Sequence, residues 1–501
     1  MGPAEYDQAV EPAEVIRQAI AGMGTRDHEF EPSFAQPISE WPDRIGGIGL
    51  DDQNSWHLGS LGQRDSVRLA SPRAGWINET VTSNPELPLP LRRQAAIQDG
   101  WLEVRLSDLL PTLMDRAGID LWLVLGREYN EDPILATLLP AEWLSARRRT
   151  VIALHRNASG VQGYCLTRYP IGPYRPAWPA DQESQHAALR RLIDELAPLR
   201  IGINVSETFA LADGLSHTEH RLLVTALGPH SHRLVPAEAL AIGWLETRLP
   251  AEIEAAHALN RLAHEVIAEA FSTNVITTGR TTASDVAWWI RQRFHDLGVQ
   301  PWFQPTVVVQ RGGVALYDDQ CRPTGGLPDD ALIEAGDLLH CDVGLMSMGL
   351  HTDTQRNAYV LRAGESKPPA GLAAALIVGN RMQDITTGAF IPGRTGNTIL
   401  RVAKADAAAA GIDGDIYSHP VGYHGHAAGP TIGMWDEQGA VPGAGEYPLH
   451  DNTIYALELC VRTAIPDWDG QLVRMALEQG IVVSGGRVSY LDERQTELIL
   501  V

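Results

Sequence analysis

The stretch "HCDVGLMSMGLHTDTQRN", residues 340–357, carries the reading of the fold. Asp342 sits inside an apolar run, and Asp353 follows eleven residues later between two threonines. A carboxylate in a buried strand is costly unless something pairs with it. The spacing predicts that Asp342 ends one strand, that "GLMSMG" turns the chain, and that "LHTDTQRN" runs back. A hairpin then sets the two carboxylates side by side across its strands.

Further ligand-type residues gather downstream. "SHPVGYHGHAAGPTIG" (418–433) supplies His419, His424 and His426. "IYALELCV" places Glu458 inside an apolar strand, and "QLVRMALEQGIVV" does the same for Glu478. Four clustered carboxylates without cations would repel one another, and several would hold protons. Two divalent cations would offset that charge. Carboxylate with imidazole suits Mn²⁺, Co²⁺, Fe²⁺ or Zn²⁺ better than Cu⁺.

Around this segment the chain divides. Its 501 residues exceed one ordinary core. Residues 1–92 are rich in Gly, Pro, Ser and Asp and read as an extension of unknown role, with "SNPELPLPLRRQ" (83–94) as a linker. Residues 93–245 alternate. "WLEVRLSDLLPTLMDRAG" predicts a helix ending at Gly118, with Pro111 as a kink. "IDLWLVLG", "RRTVIALHR" and "RIGINVS" predict strands, and "HAALRRLIDELAPL" a helix. This is an α/β pattern, without the glycine motif that cradles a nucleotide phosphate.

Residues 246–501 open on two helices. The first carries Ile253, Ala256, Leu259, Ala263, Val266 and Ala270 on one stripe. The second is capped by Thr282 with Asp285 and stopped at Gly298. Short strands and Gly-rich turns are expected from there to the end.

The net charge, 40 − 62 = −22, argues against a nucleic-acid partner and against an anionic membrane surface. Four cysteines without a C-x-x-C spacing point to a reducing, cytoplasmic setting. No signal peptide or spanning segment of about 20 apolar residues is visible. "GLSHT" (214–218) lacks the second Gly of a nucleophile elbow, and "HEVIA" (264–268) lacks the second His of a zincin.

The residues from 249 onward resemble the M24 metallopeptidases, which include methionine aminopeptidase, aminopeptidase P, prolidase and creatinase. "DVG" (342–344) and "DTQR" (353–356) match the family's D-x-G … D-x-T-R pattern, with Gln355 for the usual Thr. "GHAAG" (425–429) matches G-H-x-x-G, and Glu458 and Glu478 match the two glutamates in order.

The resemblance, closest to Xaa-Pro aminopeptidase, implies an α+β chain. A C-terminal pita-bread catalytic domain would follow a creatinase-like α/β domain. The implied metal ligands are Asp342, Asp353, His426, Glu458 and Glu478, holding two divalent ions, Mn above all, with His426 preferred over His424. Glu458 would move the proton, and His419 or His424 would hold the substrate carbonyl. The implied substrate is a peptide with proline second, and the resemblance allows a homodimer.

Two departures stand out. "VVVQRGGVALYDDQ" (307–320) lacks the histidine usual before the first Asp. Seven residues after His426 and His424, where a further histidine is usual, stand Gly433 and Thr431. A non-peptidase enzyme of creatinase type, or a non-catalytic binding protein, is therefore the alternative.

Overall fold

The computed structural model describes residues 89–314 and 327–501. The predicted extension lies outside the described residues except at its end. There the stretch read as a linker already turns helical: α1 spans Leu91–Val104. A π-helical turn at Arg105–Leu109 follows, and then α2, Leu110–Ala117, which ends on left-handed Gly118. Pro111 sits at the start of α2, where its missing N–H costs nothing. The irregularity it imposes falls in the turn before it.

The first sheet contains β1 (Leu121–Arg127), β2 (Arg149–Asn157), β3 (Gly160–Leu166), β4 (Arg175–Pro176), β5 (Ile201–Ile203) and β6 (Leu234–Pro236). Their order is β4-β3-β2-β1-β5-β6, with β1 antiparallel to β2 and parallel to β5. Trp122 and Val124 enter one core while Leu121, Leu123 and Leu125 enter another. Both faces of β1 are therefore covered, which is why its sequence is continuously apolar. The covering helices are α3 (Pro133–Leu138), α4 (Gln185–Leu196), α5 (His217–Leu227) and α6 (Glu238–Glu246).

Helices α7 (Pro250–Ala270) and α8 (Ala283–Asp296) open the second part. Thr282 and Asp285 form a capping box at the start of α8. Beyond them lie β7 (Gln300–Pro301), β8 (Thr306–Gln310), β9 (Leu338–Val343), β10 (Leu345–Ser347), β11 (Leu350–His351) and β12 (Thr354–Tyr359). The remainder is not only short strands and turns. Two long helices intervene, α9 (Ala370–Ala389) and α10 (Gly396–Ala409). After β13 (Gly414–Ile416) and β14 (His419–Val421) come β15 (Thr453–Ile465) and β16 (Gln471–Ser484), of 13 and 14 residues. Strands β17 (Arg487–Tyr490) and β18 (Ile499–Leu500) close the chain.

The large sheet runs β13-β15-β16-β12-β9-β8, with β14 added to β15, β17 to β16 and β18 to β12. Side chains alternate between its faces. Leu457, Leu459 and Leu477 pack on α9 and α10, while Leu339, Cys341, Val343 and Ala358 pack on α7 and α8. By register, these residues share one face of the sheet. Four helices thus cover that face, and the neighbouring odd and even positions point the other way.

The two parts meet at a buried charge cluster. Arg105, from the π-helical turn, pairs with Glu252 on α7 at 2.9 Å, both side chains fully buried. Tyr423 donates to Glu252 at 2.8 Å, and its ring lies 5.0 Å from the Arg105 guanidinium and 4.3 Å from that of Arg248.

Candidate metal centre

The uncovered face carries a row of polar side chains. Gln355 on β12 is the register partner of Asp342 on β9 and of Glu478 on β16. Glu478 in turn faces Glu458 on β15. Asp342, Gln355, Glu478 and Glu458 therefore stand on one transverse line across four strands. Asp353, two residues before Gln355, points to the same side. His419 on β14 pairs with Ala456, two residues from Glu458, and so comes to the same side as well.

The resulting distances are short. The ligand atoms of Asp342, Asp353 and Glu478 lie within 4.8 Å of one another, as do those of His419, Glu458 and Glu478. His419 Nε2 is 3.6 Å from Asp353 Oδ2 and 3.8 Å from Glu478 Oε1. Both aspartates and both glutamates are largely or wholly withdrawn from water. Burial pushes Asp342 up to about 7 and raises Asp353, Glu478 and Glu458 as well, and neighbouring carboxylates add to the rise for the first three. Burial drives His419 down to about 3, with His426 beside it adding to the effect, so its ring is neutral.

A metal pair fits these residues. Asp342 Oδ1, Asp353 Oδ1, both oxygens of Glu478 and Nε2 of His419 are buried with no hydrogen-bond partner. Such atoms need a partner, and each is an oxygen or imidazole donor of the kind hard and borderline divalent ions take.

Not every expected residue joins the cluster. His426 is exposed. It shares a group only with Asp353 and His419, and its ring stands edge-on to His419 at 4.6 Å. His424 belongs to no such group among the described residues. Its ring is stacked on that of His351 at 6.3 Å, and the two border a cavity of about 170 Å³ with Trp101 and Met348. The imidazole that reaches the glutamates is His419. "HPVG" (419–422) has the same H-x-x-G spacing as "HAAG", and the residue seven after His419 is His426. The second histidine is therefore in place once the count starts from His419. Residues 315–326, where part of "VVVQRGGVALYDDQ" falls, lie outside the described residues.

Trp302 walls the site beside His426, at 5.1 Å between rings, and donates Nε1 to the Thr352 carbonyl at 2.8 Å. Gly344 and Gly425 approach its indole so closely that a Cβ on either would overlap the ring.

Arg356 points away from the carboxylates, as its odd–even position requires. Its Nη2 lies 2.8 Å from His264 Nδ1, which Asp492 Oδ2 approaches at 2.6 Å. His264 Nε2 lies 2.9 Å from Thr354 Oγ1, which donates to the Glu478 carbonyl at 3.0 Å. His264, on α7, thus buttresses the glutamate strand from behind, a role its helix position did not reveal.

Residues 251–485 match the model of metallopeptidase family M24, and this part of the chain belongs to that family. It is a metallo-hydrolase domain with the pita-bread fold, preceded by an α/β domain. Solved structures share the architecture over most of the chain. The X-Pro aminopeptidase of Thermotoga maritima is 15% identical, with a TM-score of 0.56, covering 78% of this chain and all (100%) of its own. The Xaa-Pro dipeptidase of Bacillus anthracis is 16% identical, with a TM-score of 0.53 over 81% of this chain and 100% of its own. A dipeptidase of Mycobacterium ulcerans is 19% identical, with a TM-score of 0.51 over 81% and 98%. No curated protein matches the chain. Among the described residues no helix is long and apolar enough to cross a membrane.

Proposed function

We propose that the chain is a dinuclear, metal-dependent aminopeptidase that removes the residue preceding proline from a peptide N-terminus. The observation that carries this reading is the row of Asp342, Glu478 and Glu458, completed by Asp353 and His419, with buried atoms of Asp342, Asp353, Glu478 and His419 left unpartnered. The solved relatives named for Xaa-Pro aminopeptidase and dipeptidase support the choice of substrate.

In this reading Asp342, Asp353, His419, Glu458 and Glu478 would hold the ions. Two divalent ions, Mn²⁺ by preference, would when bound supply Lewis acidity and lower the pKa of the attacking water. Glu458 takes the water proton and returns it to the leaving nitrogen. His426, exposed at the rim seven residues beyond His419, donates to the carbonyl oxygen as negative charge develops there. Trp302 shields that donor from water on one side.

Metal analysis with a panel of Xaa-Pro peptides tests the proposal. About two ions per chain and release of the first residue are expected. A protein that binds no divalent metal would refute it. Two bound ions with every Xaa-Pro peptide intact would point instead to a non-peptidase reaction on the same centre.

A further inference from the structure

Gln355 stands in the middle of the ligand row, where the resemblance leads one to expect threonine. Its Nε2 lies 3.0 Å from Glu458 Oε1 and 3.3 Å from Asp342 Oδ2. Its Oε1 lies 2.9 Å from Nε2 of His340. A carbonyl oxygen can only accept, so His340 Nε2 carries the proton in this contact. The reverse orientation of the amide would turn its oxygen toward two carboxylates. His340 and Gln355 are both buried, at 7% and 2% exposure, so little water competes for these contacts.

We propose that Gln355 is a positioning residue that ties together Asp342 and Glu458, the carboxylates at the two ends of the ligand row. One N–H goes to Asp342 on β9 and the other to Glu458 on β15. The proposal rests on the metal pair inferred above. The bond to Asp342 engages Oδ2 and leaves Oδ1, which has no partner, facing the cluster. The bond to Glu458 likewise selects which of its oxygens remains for an ion. A threonine has one O–H and cannot span both carboxylates. The amide does so because it is longer and carries two donors. His340 then locks the amide from behind. An outer hydrogen bond of this kind fixes a ligand's orientation before the ion arrives, and losing one commonly weakens metal binding by about 10–100-fold.

The test is calorimetric titration of metal-stripped protein with Mn²⁺. Gln355→Met keeps the side-chain length and removes both donors. The expected result is binding of both ions weakened by about 10–100-fold, with the thermal midpoint of the metal-stripped protein little changed. A residue that served only the packing of the sheet would lower that midpoint instead. Gln355→Asn keeps an amide but shortens its reach, and the same weakening is expected. If the native protein binds two ions and both variants bind them equally well, the proposal is wrong. If the native protein binds none, the metal reading itself fails. Should neither variant fold, a crystal structure of the native protein loaded with Mn²⁺ decides. Gln355 Nε2 within hydrogen-bond distance of both Asp342 and Glu458 supports the assignment, and a nitrogen turned away from either overturns it.

Discussion

Glu458 and Glu478 stand directly opposite each other as register partners on the two longest strands among the described residues. Like charges facing across a ladder destabilise a sheet. The pair is therefore an expense in the metal-free protein and an asset once cations arrive. Glu478→Gln should raise the thermal midpoint of the metal-free protein and abolish high-affinity binding of at least one ion. Thermal scans with and without Mn²⁺ check both signs, and a variant that still gains stability from Mn²⁺ as the native protein does would contradict the assignment.

The buried carboxylates also fix how stability depends on pH. Asp342 titrates near 7 in the fold against an ordinary value of 3.8. Across that window the folded state holds more protons than the unfolded state, so metal-free stability falls as pH rises. Divalent ions displace those protons and bind more tightly as pH rises. Relative to Asp342→Asn, stripped native protein should lose midpoint between about pH 5 and about pH 8, and added Mn²⁺ should restore it most at the higher value. An identical pH profile in the two stripped proteins would count against the cluster.

The three histidines of "HPVGYHGH" should behave differently. His419→Ala should weaken or remove one ion, measured by metal analysis. His426→Ala should keep both ions and lower kcat by about 10²-fold or more, as expected for a lost carbonyl donor. His424→Ala should change neither ion count nor chemistry, since its ring faces the cavity beside His351.

Glu252 neutralises Arg105 with Arg248 close by, all three fully buried. Glu252→Ala would leave two guanidinium groups without their counter-charge, with an expected loss of about 3–5 kcal/mol. Chemical denaturation measures it, and a loss near zero would mean that water reaches the cluster.

Much of this arrangement is legible in the sequence because it follows from periodicity. Asp342 and Asp353 are separated by a turn-forming stretch, and Glu458 and Glu478 lie within apolar runs long enough to be strands. The stripe on α7 and the Thr282 cap are local signals of the same kind. The ligand histidine was harder to choose. Three histidines fall within eight residues, and the pairing of His419 with Ala456, a contact between distant segments, decides which one reaches the glutamates. Helices α9 and α10 stand where short strands and turns are expected. The apolar residues of α9 are spread around the helix with weak amphipathic contrast, whereas α10 does carry a stripe, Ile399, Leu400, Ala403 and Ala407. The role of Gln355 could not be seen, because it depends on two partners 13 and 103 residues away.

The proposed ligands come from five separate stretches of chain, and no two of those stretches form the centre alone. A slip of one residue in any of the strands would turn its carboxylate to the helix-covered face. A fragment that lacks any one of them cannot assemble the complete set. Binding of both ions reports that strands from Leu338 to Ser484 have all found their register, so metal uptake belongs at the end of folding.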